Sequence, residues 1–158
     1  MKKQDSERFL LTKTFRRHVM LCTYTGLKTV SVKEVLKYDP RCLDAKTKVL
    51  RLLKKIDVMF AIKADTLEQV KDGIRIEKDV KARNLRTAEK RKDRPVVLRK
   101  EPISRGKNRE VRIVMRSGHV LRGVQVDHYR YNLVLSINGA LVLVYKHGVL
   151  AYGATPQQ

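Results

Sequence analysis

Residues 110–154, EVRIVMRSGHVLRGVQVDHYRYNLVLSINGALVLVYKHGVLAYGA, decide the fold. Val111, Ile113 and Met115 alternate with Arg112, Val114 and Arg116, the two-residue period of a strand. Ser117-Gly118 then turns the chain into a second β-rich run, His119 to Val126, which is a hairpin signal. Further on, Tyr131–Ile137 and Ala140–Tyr145 flank Asn138-Gly139, a dipeptide that tolerates the positive φ a two-residue hairpin turn demands. Lys146-His147 interrupts the last apolar run before a short segment, Gly148–Tyr152. The expected structure is an all-β meander of four or five short strands.

The start of the chain repeats this pattern. His18–Asp39 runs in step with the later segment when Gly26 is set against Gly118, so that Ser31 meets Gly123. Val49–Ile62 matches Leu141–Tyr152, with Lys54-Lys55-Ile56 standing where Tyr145-Lys146-His147 stands. This is a diverged internal repeat whose first copy has a longer central loop, Tyr38–Lys48. A helix is the alternative over Lys46–Asp57, where apolar residues also fall at near-helical spacing.

Outside the two copies the composition changes. Lys2 to His18 predicts a short amphipathic helix, with Asp5 or Ser6 as N-cap. Thr66–Lys71 and Val80–Lys92 contain good helix formers with thin apolar content, predicting exposed helices that Pro95 ends. Val96–Asn108, with Pro102 and Gly106, reads as an extended linker. The boundaries are therefore 1–64 for a diverged first unit with its leading helix, 65–108 for a basic helical and extended linker, and 109–158 for the second unit.

Charge narrows the function. The 158 residues include 36 Lys and Arg against 16 Asp and Glu, a formal net charge of +20, which makes a polyanion the leading partner class. Hydrophobic content of 42% is that of a folding chain, not of a disordered one. No apolar run reaches the length of about 18 residues needed to span a bilayer, and Met1–Asp5 leads into no signal-peptide core. A cytoplasmic protein without a membrane partner is expected. Cys22 and Cys42 lie in apolar surroundings and read as reduced core residues, and no metal or cofactor is expected.

The order of strands, turns and aromatics resembles the Sm-like fold, in particular its bacterial branch, the Hfq family. Tyr145-Lys146-His147-Gly148-Val149-Leu150 is similar to that family's YKHAIS signature, and Leu121-Arg122-Gly123 and Asn132-Leu133-Val134-Leu135 resemble wider Sm patterns. Gln4, Asp5, Phe9 and Leu10 match the opening of the family's N-terminal helix. The chain departs where the family has an aromatic, an Asp and a second aromatic, carrying His128, Tyr129, Arg130 and Tyr131 instead.

The resemblance implies a mainly β fold of two Sm-like barrels, SH3-like and each a strongly bent five-stranded antiparallel sheet, each preceded by a helix and joined by a charged helical linker. In that family the fourth strand of one unit pairs with the fifth of its neighbour until a six-unit ring closes. Two units per chain then imply a homotrimer forming a pseudo-hexameric ring. Tyr145, Lys146 and His147 would line the pore and contact uridine-rich single-stranded RNA. Tyr131 would stack a base, with His128 as a second stacking group and Gln4 and Asp5 folding onto the same face. In the first copy Lys54 and Lys55 would hold phosphate, while Arg16, Arg17 and Lys28 would attract it more generally. The family's second RNA face, for adenine-rich strands, has a Tyr four residues before the turn Gly; Cys22 and Val114 stand there, so that face would be weakened. The implied activity is that of a non-catalytic RNA chaperone in post-transcriptional regulation.

Three other classes are compatible with parts of the sequence. A nuclease could use His18, His119, His128 or His147 with Asp127 or Asp39, but no nucleophile arrangement, metal-ligand spacing or Gly-rich phosphate loop accompanies them. A non-specific duplex-binding architectural protein would need only the basic charge. A ribonucleoprotein scaffold would use the linker to dock a partner.

Overall fold

The computed structural model describes residues 11, 15, 18–24, 26–36, 39–86, 90, 92, 98–99 and 102–154. Of the expected N-terminal helix only Leu11, Phe15 and His18 are among them, so Gln4, Asp5, Arg16 and Arg17 lie outside the described residues. Leu11 and Phe15 are fully buried in the core.

The protein is mainly β, and its strands form one sheet. In chain order they are β1 (Val19–Thr23), β2 (Gly26–Leu36), β3 (Asp39–Asp44), β4 (Leu50–Leu52), β5 (Val58–Lys63), β6 (Ile74–Ile76), β7 (Leu98–Arg99), β8 (Glu110–Met115), β9 (His119–His128), β10 (Asn132–Ile137), β11 (Ala140–Tyr145) and β12 (Val149–Ala154). The order across the sheet is β4-β3-β2-β1-β5-β11-β10-β9-β8-β12-β7, with β6 paired to β9 off this path. Pairing is antiparallel except for β7 on β12. The orders β4-β3-β2-β1-β5 and β11-β10-β9-β8-β12 are the same connectivity written twice.

The correspondence extends to register. Thr23 faces Val58 and Met115 faces Val149; Cys22 faces Phe60 and Val114 faces Ala151; Leu21 faces Ala61 and Ile113 faces Tyr152. Both ladders slip at the same place, skipping Met59 in one half and Leu150 in the other. The first hairpin is tighter than the second, because Thr23 pairs with Gly26 whereas Val114 pairs with Val120. Val30, not Ser31, therefore stands in the position of Gly123, opposite Val19 and Val111 respectively. A Cβ at Gly123 would lie 2.7 Å from the Ser136 carbonyl oxygen, so the close approach of β10 requires glycine where the first half carries valine.

The helical alternative for Lys46–Asp57 does not occur. The Asp44 carboxylate accepts hydrogen bonds from the backbone N–H groups of Lys46 and Thr47 at 2.8 and 3.0 Å, and Lys48 has φ 57°, which together turn the chain into β4. A 3-10 turn over Lys55–Asp57 then leads into β5, as Lys146–Gly148 leads into β12.

The segment between the halves departs from the expected helical linker. Its described helices are short, α1 (Leu67–Val70) and α2 (Lys78–Ala82), and the second ends far before Lys92. Asn84 has φ 51°, a left-handed conformation that stops a helix. Between them Ile74–Ile76 joins the sheet as β6, facing Leu121 and His119, and Val70 is fully buried. Among the described residues of this segment, Ile74–Ile76, Val80 and Leu85 pack on the second half, whereas Arg86 reaches the first.

The halves share their core. β5 pairs with β1 on one side and β11 on the other, with Val142 facing Ile62 and Val144 facing Phe60. Both faces of β5 are covered, which is why Val58–Ile62 reads as an unbroken apolar run. One cluster joins Met59, Phe60 and Ile62 to Ile113, Leu135 and Val144; another joins Val19, Leu21 and Ala61 to Val134, Leu143 and Tyr145. Burial on this scale stabilises by roughly 25 cal/mol per Å² of apolar surface, so the β5–β11 junction is as much core as either half.

Candidate nucleic-acid interface

Among the described residues a cluster of basic and aromatic groups forms where β5 meets β11. The Lys55 ammonium lies 5.5 Å from the centroid of the Tyr145 ring and 5.8 Å from that of Tyr131. Lys55 comes from the turn before β5, and both tyrosines from the other half. The Arg130 guanidinium is 5.1 Å from the Tyr131 centroid. Cation–aromatic contacts of this kind contribute about 0.5–1 kcal/mol at exposed sites and hold the ring beside positive charge.

Burial separates the two tyrosines. Tyr131 is 47% exposed and presents an accessible ring, as a base-stacking group needs. Tyr145 is 1% exposed and stacks on His147 with centroids 5.4 Å apart and an interplanar angle of 24°. Its ring is thus a buried support under the site, not a platform for a base.

The neighbours of Tyr145 are half-buried and bond to the surrounding backbone. The Lys146 ammonium donates a hydrogen bond to the Tyr129 carbonyl, and the Lys146 N–H donates to the Tyr131 carbonyl at 2.9 Å. These bonds tie the turn at Lys146 to the loop between β9 and β10 and fix where Tyr131 sits. His147 Nε2 lies 2.7 Å from the Val58 carbonyl oxygen, across the junction. Arg116, almost fully buried, donates from Nε to the His147 carbonyl at 3.3 Å. Burial pulls its pKa down, opposed by Tyr24.

His128 ends β9 opposite Leu133, and its backbone N–H donates to the Asp127 carboxylate at 2.8 Å. Tyr129 reaches the same carboxylate through its hydroxyl at 3.3 Å. Lys54 is exposed and Lys28 half-buried; both line a cavity on the first half and not the junction cluster. Lys54, Lys55 and Ile56 hold the positions of Tyr145, Lys146 and His147 in the two register-matched turns.

His119 occupies a different place from the other histidines. Its Nδ1 lies 2.9 Å from Ser117 Oγ and 3.5 Å from Cys22 Sγ, and its ring meets Phe60 edge-on at 5.4 Å. Desolvation, with Lys81 adding repulsion, lowers its pKa. Burial pushes the Cys22 and Cys42 thiols up to about 12, so both are neutral packing groups. Cys22 and Val114 are both buried. No group of three or more possible metal ligands occurs among the described residues.

Arg130, Tyr129, Arg116 and Arg86 were not legible as site residues. Arg130 signals itself only by standing next to Tyr131, and Tyr129 reaches Asp127 two residues away, while Arg116 contacts the distant His147 and Arg86 lines the first-half cavity with Lys28 and Lys54. No helix among the described residues is long and apolar enough to cross a membrane. Compared with family models, curated proteins and solved structures, the chain gives no match.

Proposed function

We propose that this chain is a non-catalytic RNA-binding protein of the Sm-like, Hfq-type class, built of two tandem units and taking uridine-rich single-stranded RNA at the β5–β11 junction. The observation that carries the reading is the cluster of Lys55, Arg130 and the exposed Tyr131 over the buried Tyr145–His147 stack. An accessible ring flanked by two cations is what stacking a base and holding its phosphate require. The net charge of +20 supports a polyanionic partner.

Two features support the Sm-like assignment. The strand order and the ladder slips recur in both halves, as two copies of one five-stranded unit require. The fourth strand of the second copy pairs with the fifth of the first, the pairing by which such units join into rings. Three chains joined in the same way would close a pseudo-hexamer, with β4 of each meeting β12 of the next. β7, which now faces Ala151 and Tyr152, would leave that edge when the ring closes. Such a protein would work in the cytoplasm on RNA strands in post-transcriptional regulation, as an RNA chaperone.

Fluorescence anisotropy with oligo(U), oligo(A) and a length-matched DNA duplex near physiological salt tests the reading. Preference for oligo(U), lost in Tyr131→Ala, supports it. Equal binding to all three, with a steep salt dependence and no response to Tyr131→Ala, overturns it in favour of an architectural duplex binder or a scaffold.

A further inference from the structure

The first half carries a cavity of about 220 Å³ whose walls include Tyr24, Lys28, Leu53, Lys54, Asp57 and Arg86. It lies at the corner where the end of β1 meets the turn before β5. The corresponding corner of the second half holds Arg116 and Tyr145, since Tyr24 takes the position of Arg116 and Lys54 that of Tyr145. The two halves have exchanged partners: the aromatic moves from the fourth strand's end to the first strand's end, and the cation moves the other way.

The exchange changes what the corner can do. In the second half Arg116 and Tyr145 are buried and sealed into the core. In the first half Lys54 and Arg86 are exposed, Tyr24 and Lys28 half-buried, and the corner is a solvent-accessible cavity. Asp57 stands where the second half has Gly148. Arg86 belongs to neither repeat; it arrives from the chain beyond α2, past the left-handed turn at Asn84.

We propose that this cavity is a second nucleotide site, which takes one nucleotide of single-stranded RNA. Lys28, Lys54 and Arg86 supply three positive groups for its phosphate. Tyr24 and Leu53 supply an apolar wall for the base, and the Asp57 carboxylate accepts from a ribose hydroxyl or a base N–H. A bare anion would gain from the cations but not from the carboxylate or the aromatic wall. The cavity thus replaces by a different residue set the stacking group that Lys54 and Ile56 lack. The inference rests on the RNA-binding reading and adds a site to it on the opposite half of the chain.

Photocrosslinking of 4-thiouridine-substituted oligo(U) to the full-length chain, mapped by mass spectrometry, tests it together with affinity. Two sets of crosslinks are expected, one around Tyr131 and one around Tyr24. Arg86→Gln should remove the second set alone, weaken oligo(U) binding several-fold and reduce the salt slope by about one. Arg86 is exposed, so this variant keeps its fold, and Tyr24→Leu serves as the second test. Crosslinks confined to Tyr131, with affinity unmoved by Arg86→Gln, would overturn the inference and leave the junction site standing. Crosslinks confined to Tyr24 would support the inference and remove the junction site. Absence of oligo(U) binding by the wild type would overturn both.

Discussion

The Nε2 atom of His147 lies 2.7 Å from the carbonyl oxygen of Val58. The imidazole therefore carries its proton on Nε2 and donates across the junction, from the turn before β12 to the first residue of β5. His147→Ala deletes this donor and the stack on Tyr145. It should cost about 1–3 kcal/mol of stability, read as a lower denaturant midpoint with an unchanged m-value.

Tyr131 and Tyr145 should separate binding from stability. Tyr131→Ala, at an exposed ring, should lower oligo(U) affinity by the worth of one base stack, about 1–3 kcal/mol, with little change in unfolding. Tyr145→Ala opens a hole in the shared core and should cost about 3–5 kcal/mol of stability. Paired anisotropy and urea titrations would distinguish them, and equal effects in both assays would contradict the division of roles.

Cys22 and Cys42 should resist iodoacetamide at pH 8 in the native protein and react fully in denaturant. Their thiols are raised from 9.0 to about 12 in the folded chain, so the folded form holds the proton more tightly. The stability this confers is present below pH 9 and is lost as the pH rises through about 12.

His119 imposes the opposite dependence on the acid side. Its folded pKa is lowered from 6.5 by desolvation and by Lys81, among Cys22, Ser117 and Phe60. The unfolded chain then binds more protons, so this contribution is present above about pH 6.5 and is lost as the pH falls through the folded value. Urea titrations at pH 7.5 and 5 should show a stability loss on acidification that His119→Phe reduces.

Leu52 is 55% exposed, whereas Leu143, in the same register position of the other half, is fully buried beside β5. If a neighbouring chain covers β4 in the ring, Leu52→Lys should shift the protein from trimer to monomer by light scattering. The circular dichroism spectrum should stay the same, because the internal junction does not involve this residue.

The strands were legible where alternation or turn chemistry is local: Ser117-Gly118 and Asn138-Gly139 mark hairpins that the structure contains. The repeat was legible as well, down to the matching of Lys54-Lys55-Ile56 with Tyr145-Lys146-His147. The one-residue slip at Val30 was not, because a hairpin's length is set by which residues pair and not by which are apolar. The α2 boundary was missed because helix propensity in Val80–Lys92 says nothing of the turn at Asn84. The choice between a core and an exposed Tyr145 could not be settled from sequence either: whether a strand's last aromatic faces water depends on β5, more than 80 residues earlier in the chain.

The pairing of β5 with β11 occurs inside a single polypeptide. Its strength is therefore independent of protein concentration, because the two strands are always present at the effective molarity their tether imposes. Contacts between chains at β4 and β12 would instead obey ordinary mass action and weaken as the protein is diluted. A nucleotide site at the internal junction would remain whole at concentrations where any site shared between chains had come apart.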